Sequence, residues 1–133
     1  MNKVENIAVI TGSRADFGLL SRLCEILDND KRVKLTVIAT GSHLSHAHGY
    51  TLNEVKSFGY ANVETIDLDL SGDTTEDINL YISRAISKFS IFFSKHQIKK
   101  ILVLGDRYEI FGASIAAAIL GIQIAHMHGG EVT

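Results

Sequence analysis

Five short stretches of the chain hold residue types that can do chemistry: TGSRADFG at 11–18, HLSHAH at 43–48, SGDTTED at 71–77, GDRYE at 105–109 and HMHGGE at 126–131. In the first, Arg14 follows Gly12 and Ser13 at what reads as a strand-to-helix turn. Free N–H groups at a helix start, together with a guanidinium, suit a phosphate. Ser13 and Asp16 also have capping-box spacing, and both roles can hold at once. The stretch is neither a Walker loop nor GxGxxG, so it is not a standard nucleotide fingerprint. In GDRYE, Asp106 is a carboxylate able to act as acid or base. Arg107 can bind an anion or cover surface. Asp106 and Glu109 again have capping-box spacing, which reads Glu109 as structural. The histidine clusters invite a metal reading, since imidazoles beside a carboxylate are common zinc or iron ligands. His126 and His128 share a face only if the strand continues through them. No ligand spacing stands out, so no metal is expected. Gly129 and Gly130 permit an anion nest or a plain turn.

These stretches need a framework that brings them together. NIAVIT (6–11) and KILVLG (100–105) are continuous apolar runs, the pattern of strands buried on both faces. VKLTVIAT (33–40), ANVETIDLDL (61–70) and IQIAHM (122–127) read as further strands. Between them lie helical patterns. In 15–28, Leu19, Leu20, Leu23, Cys24 and Leu27 fall on one face. In 73–95, Ile78, Ile82, Ala85, Ile86, Phe89 and Phe93 recur at spacings of three and four. Segment 108–120 is apolar almost all round, predicting a deeply buried helix, and 50–58 is a shorter, weaker one. Phe92 belongs with Phe89 and Phe93 to a core or interface cluster, and Cys24 to the core.

The alternation βαβαβαβαβ predicts an α/β fold, a doubly wound, Rossmann-like parallel sheet of order 3-2-1-4-5. Ligands of such sheets bind beyond the carboxyl ends of the strands, at the switch point between strands 1 and 4. All five stretches follow a strand, and only His96 of the six histidines lies away from that edge.

The whole chain, 133 residues at 46% hydrophobic and 21% charged, is the size and composition of one globular domain. Thirteen basic residues against 15 acidic ones exclude the electrostatic footprint of a nucleic-acid binder. The longest apolar run, GASIAAAILGI, is too short to span a bilayer. MNKVEN leads straight into a strand with no apolar signal segment. A lone cysteine fits a reducing compartment, so a cytoplasmic protein is expected.

TGSRADFGLL, TGSHLSHAHGYTLNEV, GDRYEIF and AHMHGGEVT, in this order and at these spacings, resemble the hydrolysing UDP-N-acetylglucosamine 2-epimerases of bacterial sialic-acid biosynthesis. The related enzymes of legionaminic-acid synthesis, acting on other nucleotide-activated amino sugars, are equally similar. The resemblance implies two facing Rossmann-like domains in the GT-B architecture, with the nucleotide sugar in the cleft between them. It also implies loss of the C2 proton with expulsion of UDP, then addition of water to the glycal, without a cofactor. Residue by residue, Arg14 matches an arginine near the nucleotide phosphates. Asp106 matches an acid/base carboxylate, and Glu131 an acidic active-site position of the hydrolysing branch. His128 stands where the wider family often has Glu in an H-x-E pattern, so the group that deprotonates C2 stays open. Arg107 and His126 match motif positions without an assigned role.

The candidate set is therefore Asp106, Glu131 and His128 for catalysis, and Gly12, Arg14, His43 and Arg107 for substrate binding, with no metal ligand. The sequence offers no helix after strand 5, so residues 1–133 read as an N-terminal Rossmann-like half, with the C-terminal domain absent. The uncovered edge at strand 5 is where a second copy could pair in a homo-oligomer. Two other readings are a non-catalytic nucleotide-sugar-binding domain and a metal-dependent hydrolase.

Overall fold

Strand β1 (Glu5–Thr11) carries an unbroken apolar run, and a strand without a polar face has to be covered on both sides. In the computed structural model, which describes residues 3–45, 51–69 and 71–127, β1 lies in the middle of a five-stranded sheet. It pairs in parallel with β2 (Val33–Thr40) on one edge and β4 (Lys100–Leu104) on the other. β3 (Val63–Ile66) adds beyond β2 and β5 (Gln123–Met127) beyond β4, also parallel. The order is β3-β2-β1-β4-β5, as the alternation predicts.

Successive strand side chains point to opposite faces. Ala8, Ile10, Ile38, Ile101 and Val103 pack with α3 (Thr75–Lys95) and α4 (Tyr108–Leu120). Val9, Leu35, Val37 and Leu104 pack with α1 (Arg14–Asp28) and the short α2 (Leu52–Lys56). The helices change side between the β1–β2–β3 half and the β4–β5 half, and that change makes the switch point. α3 starts on a full capping box. Thr74 Oγ1 accepts from the Asp77 N–H at 3.1 Å and Asp77 Oδ2 accepts from the Thr74 N–H at 3.2 Å. Such a cap is typically worth ~1 kcal/mol.

Several elements differ from the sequence pattern. On α1 the buried residues are Phe17, Leu20 and Cys24, while Leu19 is 70% exposed. On α3 the fully buried stripe is Tyr81, Ala85, Phe89 and Phe93, spaced by four, with Ile78, Ile82 and Ile86 flanking it half-buried. α4 is not buried all round: Ile110, Gly112, Ala113, Ala116 and Ala117 face inward, but Phe111, Ile119 and Leu120 are exposed. The predicted strand 61–70 pairs only over Val63–Ile66, because the chain leaves the ladder at Asp67. A 3-10 turn, Gly41–Leu44, opens the first histidine stretch.

Gly112 lets α3 and α4 close on each other. A Cβ there would run into Ala85 Cβ and lie 3.2 Å from the Ile82 carbonyl oxygen. Alanine raises helix propensity by ~1 kcal/mol over glycine, but overpacking costs ~1–3 kcal/mol. Neither wall can swing away, since one is backbone and the other a first side-chain atom. Gly112→Ala is therefore expected to lower stability by ~1 kcal/mol or more in urea denaturation, and Ala85→Gly in the same chain to restore part of it. A Gly112→Ala chain as stable as the parent would mean that the two helices do not pack this closely.

Candidate functional site

The carboxyl ends of the strands open onto a cleft of about 730 Å³. Gly41 and Ser42 beyond β2, Asp67 and Asp69 beyond β3, and Asp106 and Arg107 beyond β4 line it, with Tyr81 of α3 reaching up from below. One edge of the sheet thus gathers residues distant in sequence, although the lining lies beyond β2, β3 and β4 and includes no residue beyond β1.

Asp106 is exposed at the cleft wall and its carboxylate makes no hydrogen bond among the described residues. It does not cap α4, since the N-cap residue is Arg107 and no side chain caps it. The capping-box reading of Asp106 with Glu109 therefore fails. Glu109 instead turns inward at 2% exposure. Its Oε1 accepts from Arg107 Nε at 2.7 Å and its Oε2 from the Tyr81 hydroxyl at 3.2 Å. Burial, then the Glu109 charge and hydrogen bond, raise the Tyr81 hydroxyl above its ordinary pKa, so it stays a donor.

The same carboxylate explains two glycines. A Cβ on Gly12 would run into Glu109 Oε1. One on Gly41 would sit 2.9 Å from that oxygen and 2.8 Å from the Gly12 carbonyl, at a backbone φ of +60° that already favours glycine. Gly12 is thus buried scaffold packed on Glu109 and is absent from the cleft lining.

Half of the predicted α1 capping box is present. Ser13 Oγ accepts from the Asp16 N–H at 3.2 Å. Asp16 does not return the bond, and its Oδ2 is buried without a partner among the described residues. Burial holds this carboxyl above its ordinary pKa, against the Ser13 hydrogen bond and the nearby Arg107 charge. Arg14, the first residue of α1, points to solvent and pairs with Glu54 of α2 at 3.0 Å, with side chains 73% and 49% exposed.

His43 is fully buried and both ring nitrogens are engaged. Nε2 lies 2.8 Å from Thr11 Oγ1 and Nδ1 2.7 Å from Thr51 Oγ1. The Thr11 hydroxyl gives its one proton to the Ser13 carbonyl at 3.3 Å. By assignment, Nε2 then carries the ring proton and Nδ1 accepts from Thr51. Placed among substrate contacts by sequence, the ring is enclosed and ties the β1 exit, the 3-10 turn and the start of α2 together. His126 contacts the Gly105 carbonyl through Nε2, beside the Gly105 N–H bond to the Met127 carbonyl. Among the described residues no three or more metal-ligating side chains cluster. His46, His48, His128 and Glu131, with Gly129 and Gly130, lie outside the described residues.

Residues 25–133 match the family model described as UDP-N-acetylglucosamine 2-epimerase. The chain belongs to this family. It is 33% identical over 130 residues to the polysialic acid biosynthesis protein P7 of Escherichia coli, covering 98% of this chain and 33% of that protein. It is also 33% identical over 128 residues to the hydrolysing UDP-N,N'-diacetylbacillosamine 2-epimerase of Legionella pneumophila, covering 96% of this chain and 34% of that one. Among solved structures, the UDP-GlcNAc 2-epimerase of Neisseria meningitidis bound to UDP-GlcNAc superposes with a TM-score of 0.77 at 19% identity, over 96% of this chain and 33% of that one. That likeness carries the fold. The chain thus spans about a third of the length of the curated relatives it matches. No helix among the described residues is long and apolar enough to cross a membrane.

Tyr81 and the inward turn of Glu109 were not foreseen in the sequence. Tyr81 could have been found, since it begins the four-spaced stripe of Ala85, Phe89 and Phe93. Asp67 and Asp69 could have been found as the acidic residues at the carboxyl end of β3, on the same ligand-binding edge.

The enclosed imidazole makes a pH prediction. Burial, opposed by Glu54 and the Ser13 backbone, lowers His43 from 6.5 to about 4. The unfolded chain then takes up its proton first as pH falls. Stability from this group is complete above about pH 6.5, is lost between 6.5 and 4, and is flat below. From pH 7 to pH 5 the parent should lose about 2 kcal/mol more than His43→Gln in urea denaturation. Parallel pH profiles for the two chains would mean that the ring is not buried neutral.

Proposed function

We propose that these residues form the nucleotide-sugar-facing first domain of a hydrolysing 2-epimerase acting on UDP-N-acetylglucosamine or a related nucleotide-activated amino sugar. The observation that carries the reading is a carboxylate and a guanidinium side by side. Asp106 and Arg107 line a cleft on the carboxyl edge of the sheet, in a chain of this family. A base removes the C2 proton, the C2–H pair forms the C1=C2 bond, and the C1–O bond breaks with its pair leaving on the diphosphate as UDP. Water then adds hydroxyl to C1 and a proton to the other face of C2, releasing an N-acetylmannosamine-type sugar. No step needs an oxidant or a cofactor. Asp106 serves as an acid/base group and Arg107 meets the charge on the departing diphosphate. Glu131 and His128 supply the remaining catalytic groups. Arg14 exchanges its exposed partner Glu54 for a phosphate oxygen at the α1 N-terminus. His43 and Gly12 support substrate binding by holding the loops rather than by contact.

The rest of the relatives' length contributes a second, facing domain in a GT-B arrangement, which closes over the uridine. A nucleotide-sugar substrate and a single buried free thiol, Cys24, both support a cytoplasmic protein. Because the chain spans about a third of its relatives, a second reading applies to it in isolation, namely binding without turnover. Positioning is a large part of any rate enhancement. The 133-residue chain incubated with UDP-N-acetylglucosamine is accordingly expected to release no UDP. Sustained release would defeat the half-site reading.

The catalytic reading is tested at Asp106 in a protein of the relatives' length carrying these residues. The side chain is exposed, caps nothing and makes no hydrogen bond among the described residues, so Asp106→Asn should leave the melting temperature unchanged. General acid–base groups contribute ~10²–10⁴-fold, and kcat should fall by about that factor. Unchanged turnover would remove Asp106 from the chemistry.

A further inference from the structure

Glu109 is a carboxylate with a 3% exposed side chain in the lining of the cleft, and the reaction above gives it no task. Both of its oxygens are pinned, Oε1 by Arg107 Nε at 2.7 Å and Oε2 by the Tyr81 hydroxyl at 3.2 Å. Tyr81 is itself locked in the core beneath α4. The backbones of Gly12 and Gly41 pack against Oε1, so that a Cβ on either glycine would run into it. The consequence falls on Arg107. A guanidinium has five N–H donors. Here the Nε–H is spent on Glu109, and the two terminal amino groups make no hydrogen bond to protein among the described residues. The side chain is half-exposed at the cleft wall. An arginine held by Nε presents its outer fork at a fixed angle, the geometry that meets two oxygens of one phosphate at once. A free surface arginine would have to lose its rotamer freedom each time it bound.

We infer that Glu109 is a positioning residue: it aims the free fork of Arg107 into the cleft at the diphosphate of the nucleotide sugar. This rests on the reading of the cleft given under Proposed function. Glu109 touches no substrate atom and acts only through Arg107, with Tyr81 fixing the carboxylate from behind. Asp would keep the charge but shorten the arm by one methylene. Gln keeps the length and the packing under Gly12 and Gly41, and loses the charge that makes the bond to Nε short and strong.

The test uses the 133-residue chain, labelled so that the Arg107 Nε–H is seen by NMR, with UDP as the probe. In the parent that proton should exchange slowly and UDP should shift it. In Glu109→Gln the protection should be lost and UDP affinity should fall roughly threefold to tenfold, with folding retained by circular dichroism. Tyr81→Phe should give a smaller loss of the same kind, and it carries the test if Glu109→Gln does not fold. The deciding measurement is non-additivity. In an Arg107→Lys background, Glu109→Gln and Tyr81→Phe should cost little further UDP affinity, because the group they aim has gone. Equal losses with Arg107 present or replaced would reduce Glu109 to scaffold, and so would unchanged UDP affinity in Glu109→Gln. A parent chain that binds no UDP would instead overturn the reading of the cleft, and with it the target of Arg107.

Discussion

Strand β1 is covered on both faces and paired along both edges, and the rest of the molecule depends on that enclosure. Its backbone donors and acceptors are consumed by the ladders to β2 and β4, and Ile7, Ala8, Val9 and Ile10 are all within 5% of complete burial. A strand so enclosed can be approached only at its ends. Chemistry-bearing residues are therefore pushed out to the loops, and the carboxyl ends offer helix starts with free N–H groups. α1 and α2 lie on one face and α3 and α4 on the other, and the cleft opens among the loops beyond β2, β3 and β4.

Among the described residues that line the cleft, one carboxylate, Glu109, is buried. Burying a lone carboxylate costs several kcal/mol, and only a close partner with good hydrogen bonds makes it tolerable. Glu109 has both, from Arg107 and Tyr81. Replacing such a pair with apolar residues is often neutral or stabilising. Stability is thus a poor account of why a charge sits there, and placement of Arg107 is a better one. Gly12, Gly41, Tyr81 and Arg107 come from three loops and a helix, yet each is constrained by this one carboxylate.

The sheet order was legible because apolar runs and helical periods alternate strictly, and right-handed crossovers leave few alternatives. The edge on which the cleft opens was legible for the same reason. Errors arose where periodicity cannot separate two faces of similar polarity. Leu19 and Phe17 are both apolar, and only packing against β2 and α2 decides that Phe17 goes in. α4 is apolar nearly all round, so its sequence carries no direction, and Phe111 and Ile119 stay exposed. Spacing also misled at the site. Asp106 and Glu109 fit a capping box, but the helix begins one residue later than that pattern requires, and Glu109 rotates into the core. His43 read as a ligand contact because a sequence cannot reveal that Thr11 and Thr51 will claim both ring nitrogens.

Among the described residues two polar tethers join the β1 exit region to α2, and their magnitudes separate their roles. The inner one, Thr11–His43–Thr51, is buried, and its ring is held neutral well below the ordinary histidine range. Breaking it leaves enclosed polar atoms without partners, which costs ~1–3 kcal/mol for each. The outer one, Arg14–Glu54, is largely exposed, and pairs of that kind are worth ~0–1 kcal/mol. The Arg14–Glu54 pair can therefore part at little cost, while the buried histidine keeps the loop in place. A rigid inner contact beneath a weak outer one keeps the loop ordered whether or not Arg14 holds Glu54.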